Sequence, residues 1–253
     1  MSRQPTTNQV LAAAMDDPVQ STLVRRDILG SKELLRDWYD KIYRYIAKQL
    51  ATGGRNVEIG SGSSFLHDYV QGLVLTNIIP VPGNDLTFDA RAMPFPDESL
   101  DNLALIDVLH HFDRPEIFFR EAHRVLRPGG RIIMCDPYLS PFAYLLWKYL
   151  HPEGCDTSRI GFDNGKTRDP LLDANSATAT LLFFRGGFEK GCPGFEVTDR
   201  IIHSKFEYWL AGGYNFPHLF PPKLKTVIPL LENGLSFLDK AMAGFMNAVL
   251  EKK

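Results

Sequence analysis

Three patches of this chain carry residue types suited to chemistry. In the first, Glu58-Ile59-Gly60-Ser61-Gly62-Ser63-Ser64-Phe65, a short apolar run bearing one acid passes into glycines and serines. Such a junction reads as strand and tight turn, where the backbone bends sharply and a ligand approaches without meeting Cβ atoms. Phe65-Leu66-His67-Asp68-Tyr69-Val70 predicts the start of a helix, whose free N–H groups would face that ligand. An ordinary loop of small residues would look the same, and many nucleotides are bound this way, so the loop alone names no ligand. In the second patch His110-His111 follows an apolar run. Imidazole exchanges a proton near neutrality, so either ring could serve as general base on a substrate hydroxyl, or simply be packed. The third patch sets His151, Glu153, Cys155 and Asp156 within one short loop. Four side chains so close along a glycine- and proline-containing loop do not converge on one ion, so no metal is expected. His151 becomes instead a further base candidate, alongside Tyr138.

These groups need elements to hold them. The chain reads as loose through residue 30. Ser31 then caps a helix to about Leu50, with Leu34, Trp38, Ile42, Ile46 and Leu50 in one apolar stripe. Tyr43 on that helix could reach a bound ligand if the helix covers the cleft, or be a core residue. Buried strands are expected at Asn56–Ile59, Leu73–Ile79, Leu86–Ala90, Leu103–Leu109 and Arg131–Cys135. Between the last two, Asp113 with Glu116 forms a capping-box pattern ahead of a helix bearing Ile117, Phe118, Ala122, Val125 and Leu126. Strands alternating with helices imply α/β architecture with a mainly parallel, doubly wound, Rossmann-like sheet.

Beyond the fifth strand the periodicity fades. Residues 151–194 read as an inserted cap, since Leu171, Leu172, Leu181, Leu182, Phe183 and Phe184 need burial among breakers such as Gly161, Gly165 and Pro170. A strand follows over residues 195–206, a second lid segment over about 207–222, a helix over 222–243 kinked at Pro229, and a closing strand over 245–251. Residues 31–253 thus form a single domain.

Composition narrows the partners. With 28 basic and 30 acidic residues the formal charge is −2, so no field for polyanions exists and nucleic acid is not the expected substrate. Three scattered cysteines make no disulfide framework. No signal peptide or membrane-length apolar run is read, which fits a cytoplasmic setting. Nothing in the sequence specifies an oligomeric state.

Five pieces fall in one order: Glu58 to Gly62, Asp89-Ala90 with Met93-Pro94-Phe95, Ser99-Leu100-Asp101, Asp107 to His111, and Leu126-Arg127-Pro128-Gly129-Gly130. Together they resemble the class I S-adenosylmethionine-dependent methyltransferases, in particular the small-molecule group related to the ubiquinone-biosynthesis C-methyltransferases. The resemblance covers roughly residues 55–138. It implies a seven-stranded sheet, S-adenosyl-L-methionine as cofactor and S-adenosyl-L-homocysteine as product. It also implies that Gly60, Ser61 and Gly62 flank the methionine portion, with Glu58 near its ammonium. Asp89 and Ala90 would meet the adenine edge, Met93 its face, and Asp107 would border the methionine group. Two positions depart from the family pattern: Ser64 replaces a glycine, and Asn77 stands where an acid would hold the ribose hydroxyls.

The expected chemistry is in-line displacement of a methyl group onto oxygen or carbon of a small or lipid-like acceptor, dominated by positioning. The aromatics Phe183, Phe184, Tyr208, Trp209, Tyr214, Phe216 and Phe220 suggest an apolar acceptor pocket or a sealed lid. A non-catalytic protein binding the same cofactor, or a nucleoside, is the alternative. An NAD(P)-dependent enzyme fits less well, since G-x-G-x-x-G is incomplete at Phe65 and no acid follows the second strand.

Overall fold

The fourth strand dictates the layering. It is buried almost throughout, so both faces of its sheet have to be covered. The computed structural model describes residues 17–51, 53–151, 154–159, 162 and 174–253. Its strands are β1 (Asn56–Ile59), β2 (Val74–Asn77), β3 (Leu86–Thr87), β4 (Leu100–Ile106), β5 (Leu126–Pro137), β6 (Phe195–His203) and β7 (Phe245–Lys252). They form one seven-stranded sheet in the order β3-β2-β1-β4-β5-β7-β6. Strands β1 to β5 pair in parallel, whereas β7 runs antiparallel between β5 and β6. Side chains alternate as a pleat requires. Leu103 and Leu105 join a core with Val57, Ile59, Ile132 and Met134, while Ala104 and Ile106 join a second core with Leu75, Ile133 and Cys135.

Helices α1 (Pro18–Ser31), α2 (Glu33–Gln49), α4 (Pro141–Tyr149) and α7 (Glu207–Ala211) cover the Ala104 face, and α3 (Pro115–Val125), α5 (Thr178–Phe183) and α6 (Phe188–Gly191) cover the Leu103 face. Helix α2 buries Leu34, Trp38, Ile42 and Ile46 at four-residue spacing, with Leu35, Tyr39 and Tyr43 alongside. Each such large apolar side chain contributes about 1.5–3 kcal/mol of burial. Trp38 Nε1 also donates to Ser204 Oγ at 2.6 Å, tying α2 to the end of β6.

Several expectations are corrected. Residues 18–30 are helical rather than loose: Asp17 Oδ1 accepts the N–H groups of Val19 and Gln20, and Pro18 occupies the first turn. Its weak apolar periodicity hid it, since only Ser21, Ile28 and Leu29 are buried. Ser31 does not cap the next helix; it ends this one, its Oγ bonding Asp27 O and Ile28 O. The segment after Gly62 makes only a 3-10 turn, Leu66–Asp68. Fourteen residues separate β1 from β2, from Gly60 to Leu73, close to the minimum for a crossover connection of about a dozen residues.

The capping box at Asp113 does not form. Asp113 Oδ1 accepts from Arg91 Nη1 and the Arg114 N–H, Glu116 pairs with Arg114, and the helix starts at Pro115. The long helix expected over 222–243 is broken into short turns, including α8 (Val227–Gly234) and α9 (Asp239–Met242). Of Val227, Ile228, Leu231, Leu235 and Leu238, expected to face inward, only Ile228 is buried. Of the expected cap, Leu182 and Phe183 pack into the Leu103-side core. Glu153, Gly161, Gly165, Pro170, Leu171 and Leu172 lie outside the described residues, as do residues 1–16 of the expected N-terminal segment.

Candidate functional site

The strand order reverses at β1, from which the chain steps outward to β2 and β3 and then back across to β4. Crevices in open α/β sheets form at such a reversal, outside the carboxyl ends of the strands. Here the crevice lies between the turn after β1 and the turn after β4. Gly60 takes a left-handed conformation, φ 68°, and a Cβ there would stand 2.6 Å from Val108 Cγ2. Asp107, at the end of β4, also has a positive φ, 56°, which is costly for a residue with a side chain. It is held there by its N–H donating to Cys135 O and by Tyr39 Oη donating to its Oδ2 at 2.8 Å.

Two cavities meet at this point and share Arg25, Gly60, Asp107 and His111 as lining. One extends past Asn77, Phe88, Asp89, Ala90 and Phe112. The other extends past Ser61, Gly62, His110, His151 and Tyr214. The residues of the glycine turn, Asp89-Ala90, Asp107 and the two histidines therefore border one continuous crevice.

Beneath the glycine turn, Glu58 is buried, and neither carboxylate oxygen has a hydrogen-bond partner among the described residues. Burial raises its pKa to about 7, against the opposing influence of the nearby Ser64 and Ser61 hydroxyls and of Arg26. Ser61 is fully engaged in the turn. Its N–H donates to Thr76 O, and its Oγ bonds Glu58 O and the Thr76 N–H.

At the other end, Asp89 is gripped by Arg91, whose Nε contacts both carboxylate oxygens, at 3.0 and 3.1 Å, and whose Nη2 lies 2.7 Å from Oδ2. The Arg91 N–H adds a further bond to Oδ1. Burial disfavours the Asp89 carboxylate, but the side-chain and backbone bonds from Arg91 outweigh it and hold the pKa below the usual value. Arg91 reaches on to Asp113, which fixes the turn following β3. Asn77 lines the crevice with its Oδ1 taken by the Ile78 N–H, and its Nδ2 sits beside the Gly62 turn.

His110 and Asp136 form a buried pair. His110 Nδ1 lies 2.6 Å from Asp136 Oδ1, and Asp136 Oδ2 accepts the Leu109 N–H. The carboxylate thus fixes both the ring and the turn that carries it. The His111 ring lies 4.4 Å from that of His110, and His151 packs edge-on against Trp147 at 4.6 Å.

Four residues read from the sequence as site candidates line neither cavity, Glu58 beneath the turn among them. Tyr43 is buried under the loop, where its Oη accepts the Phe65 N–H, and it borders neither cavity. Met93 packs in the Leu103-side core instead of the crevice, held by Glu121 and Arg124. Tyr138 packs on Phe184 at 4.8 Å and lines neither cavity. The sequence reading missed Tyr39, one helical turn before Tyr43 and on the same face. It missed Thr22 and Arg25, which belong to a helix it did not expect. Asp136 was also missed; it lines neither cavity and acts through His110. Tyr214 was read as part of a lid; its hydroxyl sits 3.2 Å from Ser63 Oγ at the crevice.

Residues 57–134 match the family described as "Methyltransferase domain". Over those residues, under a third of its length, the chain has the sequence of a methyltransferase domain. Demethylmenaquinone methyltransferase of Streptomyces griseus subsp. griseus is 34% identical to it over 65 residues, 24% of this chain and 28% of that protein. The 27-O-demethylrifamycin SV methyltransferase of Amycolatopsis mediterranei is 43% identical over 53 residues, 21% of this chain and 20% of that protein. The matches therefore span about a quarter of those relatives' lengths. The crystal structure of a SAM-dependent methyltransferase from Archaeoglobus fulgidus superposes with a TM-score of 0.55 at 18% identity, covering 91% of this chain and 98% of the other. That likeness extends the fold of the methyltransferase domain over nearly the whole molecule. Among the described residues no helix is long and apolar enough to cross a membrane.

Proposed function

We propose that the protein transfers a methyl group from S-adenosylmethionine to a small or lipid-like acceptor. The observation that carries this reading is the crevice that the glycine turn, Asp107 and Asp89-Ala90 border together, with the Glu58 carboxylate buried beneath the turn. A buried acid without a partner is expensive, and a cationic ligand group nearby would offset that cost directly or through water. The sulfonium cofactor supplies an activated methyl group when bound.

The remaining work falls to this chain's residues. The turn from Gly60 to Gly62 presents main chain to the methionine portion, and Asp107, held by Tyr39, shapes the waist between the two cavities. Phe88 and Phe112 provide apolar walls for the adenosine end. Asp89 is presented at that end in ionised form, although four N–H contacts from Arg91 already use its acceptor capacity. Accepting an adenine amino group therefore requires Arg91 to yield part of its grip. Asn77 offers an amide where a charged acceptor would hold ribose more strongly.

For the acceptor, His110 is our candidate base, with Asp136 as positioning residue. A carboxylate on Nδ1 keeps that nitrogen protonated and directs the other nitrogen to accept a proton from an acceptor hydroxyl or an acidic carbon. His111 and His151 stand as further acceptor-side groups. Such a base matters only when the acceptor must lose a proton.

Calorimetric titration with S-adenosylmethionine, S-adenosylhomocysteine and NAD tests the cofactor, repeated on Gly60→Val and Asp89→Ala. Binding of the sulfonium compound and its product, weakened in both variants, is expected; NAD binding alone would overturn the proposal. A second reading, a nucleoside-binding protein without turnover, is favoured by the saturation of Asp89. It predicts cofactor binding with no transfer of labelled methyl to any acceptor in a broad panel.

A further inference from the structure

A third cavity, about 320 Å³, opens beside the acceptor end of the crevice and is bounded by Leu146, Leu150, Trp209, Phe216 and Leu219. No Asp, Glu, Lys or Arg is among its described lining residues. It shares His151, Tyr208, Tyr214 and Asn215 with the His110 cavity, so the two spaces adjoin. We propose that this chamber receives the hydrocarbon tail of an amphipathic acceptor whose reacting head sits in the His110 cavity. The proposal rests on the methyl-transfer reading and adds the acceptor's shape and chemistry to it.

Size and surroundings support the assignment. A cavity of about 150 Å³ lined by apolar side chains is enough for benzene. This one has room for a longer chain. Its outer lip is apolar and exposed: Leu150 is 59% exposed and Leu219 64%, with Leu145 and Tyr149 beside them at 52% and 69%. Contiguous apolar surface of this kind marks a binding or interaction site. The aromatics that seal the core here are different ones. Trp38, Trp147, Tyr208 and Phe245 pack together, ring centre to ring centre at 4.6 Å for Trp38 and Phe245 and 5.4 Å for Trp147 and Phe245. Leu146, Phe216 and Leu219 are therefore not needed to close that core. Shape adds a direction, since a tail entering between α4 and the loop after α7 would lead its head toward His151 and on to His110.

The test is calorimetric titration of the intact protein with octanoate, decanoate, dodecanoate and tetradecanoate below their micelle-forming concentrations, with and without S-adenosylhomocysteine. Affinity should rise about fourfold per added methylene while the chain still finds apolar wall. Leu146→Trp, which fills the chamber, and Leu219→Glu, at an exposed position where folding is not at stake, should each flatten that dependence while leaving S-adenosylhomocysteine affinity within twofold. A chain-length slope that persists unchanged in both variants, or no slope in the unmodified protein, overturns the proposal. A slope that both variants abolish, in a protein that does not bind S-adenosylhomocysteine, sustains the chamber and removes the methyl-transfer reading instead.

Discussion

Asp136 grips the imidazole of His110 from one side, Oδ1 to Nδ1 at 2.6 Å, and with its second oxygen accepts the N–H of Leu109. One carboxylate thereby couples ring orientation to the path of the turn after β4. If His110 removes a proton from the acceptor, Asp136→Asn should lower kcat about 100-fold. It should also shift the acidic limb of the pH–rate profile, with S-adenosylhomocysteine affinity unchanged. Equal loss of kcat and cofactor affinity, with the pH profile unmoved, would show that Asp136 only supports the turn.

Glu58 makes stability depend on pH in the unusual direction for a carboxylate. Its folded pKa of about 7 lies above the ordinary value, so its contribution is intact below the unfolded pKa and is lost as pH rises through 7. The shift corresponds to at most about 3 kcal/mol. Urea unfolding without ligand should show wild-type stability falling between pH 5 and 8 relative to Glu58→Gln. Bound S-adenosylmethionine should narrow the difference. Parallel curves for the two proteins would refute a buried, unpartnered acid.

Gly60 tests whether backbone and packing act separately. Gly60→Ala should cost about 1–2 kcal/mol for the left-handed backbone, plus the contact of its Cβ with Val108. Adding Val108→Ala should recover the packing portion by thermal melting but not the cofactor affinity, because the new methyl group still borders both cavities. Full recovery of affinity in the double variant would place the ligand away from this turn.

Arg91 is expected to limit adenine recognition. Arg91→Met releases Asp89 and should either tighten S-adenosylhomocysteine binding or leave it within twofold, whereas Asp89→Ala should weaken it about tenfold, the value of a hydrogen bond to a charged group. A large loss of affinity in Arg91→Met would mean that the ion pair itself builds the pocket.

Much of the scaffold was legible because parallel strands buried on both faces must be apolar throughout, as Leu103 to Ile106 are, and because Leu34, Trp38, Ile42 and Ile46 recur at a helical period. The helix from Pro18 to Ser31 was not, since it buries little and signals itself only through its Asp17-Pro18 start. The stretch after Pro222 misled in the opposite way: its leucines repeat like a helix, yet the chain breaks at Gly234 and leaves Leu230 and Phe237 largely exposed. In the crevice, motif positions such as Gly60, Asp89 and Asp107 were visible as local sequence. Tyr39, Arg25 and Asp136 were not, because their roles arise from contacts between segments far apart along the chain.

The placement of β7 constrains how this molecule comes into being. Its residues, 245 to 252, separate β5 from β6 and hydrogen-bond to both. Until they are in place, β5 presents an unsatisfied edge and β6 has no neighbour, a condition that invites pairing with other chains. Completion of the sheet therefore waits on β7, and substitutions that weaken its pairing should lower the yield of soluble product.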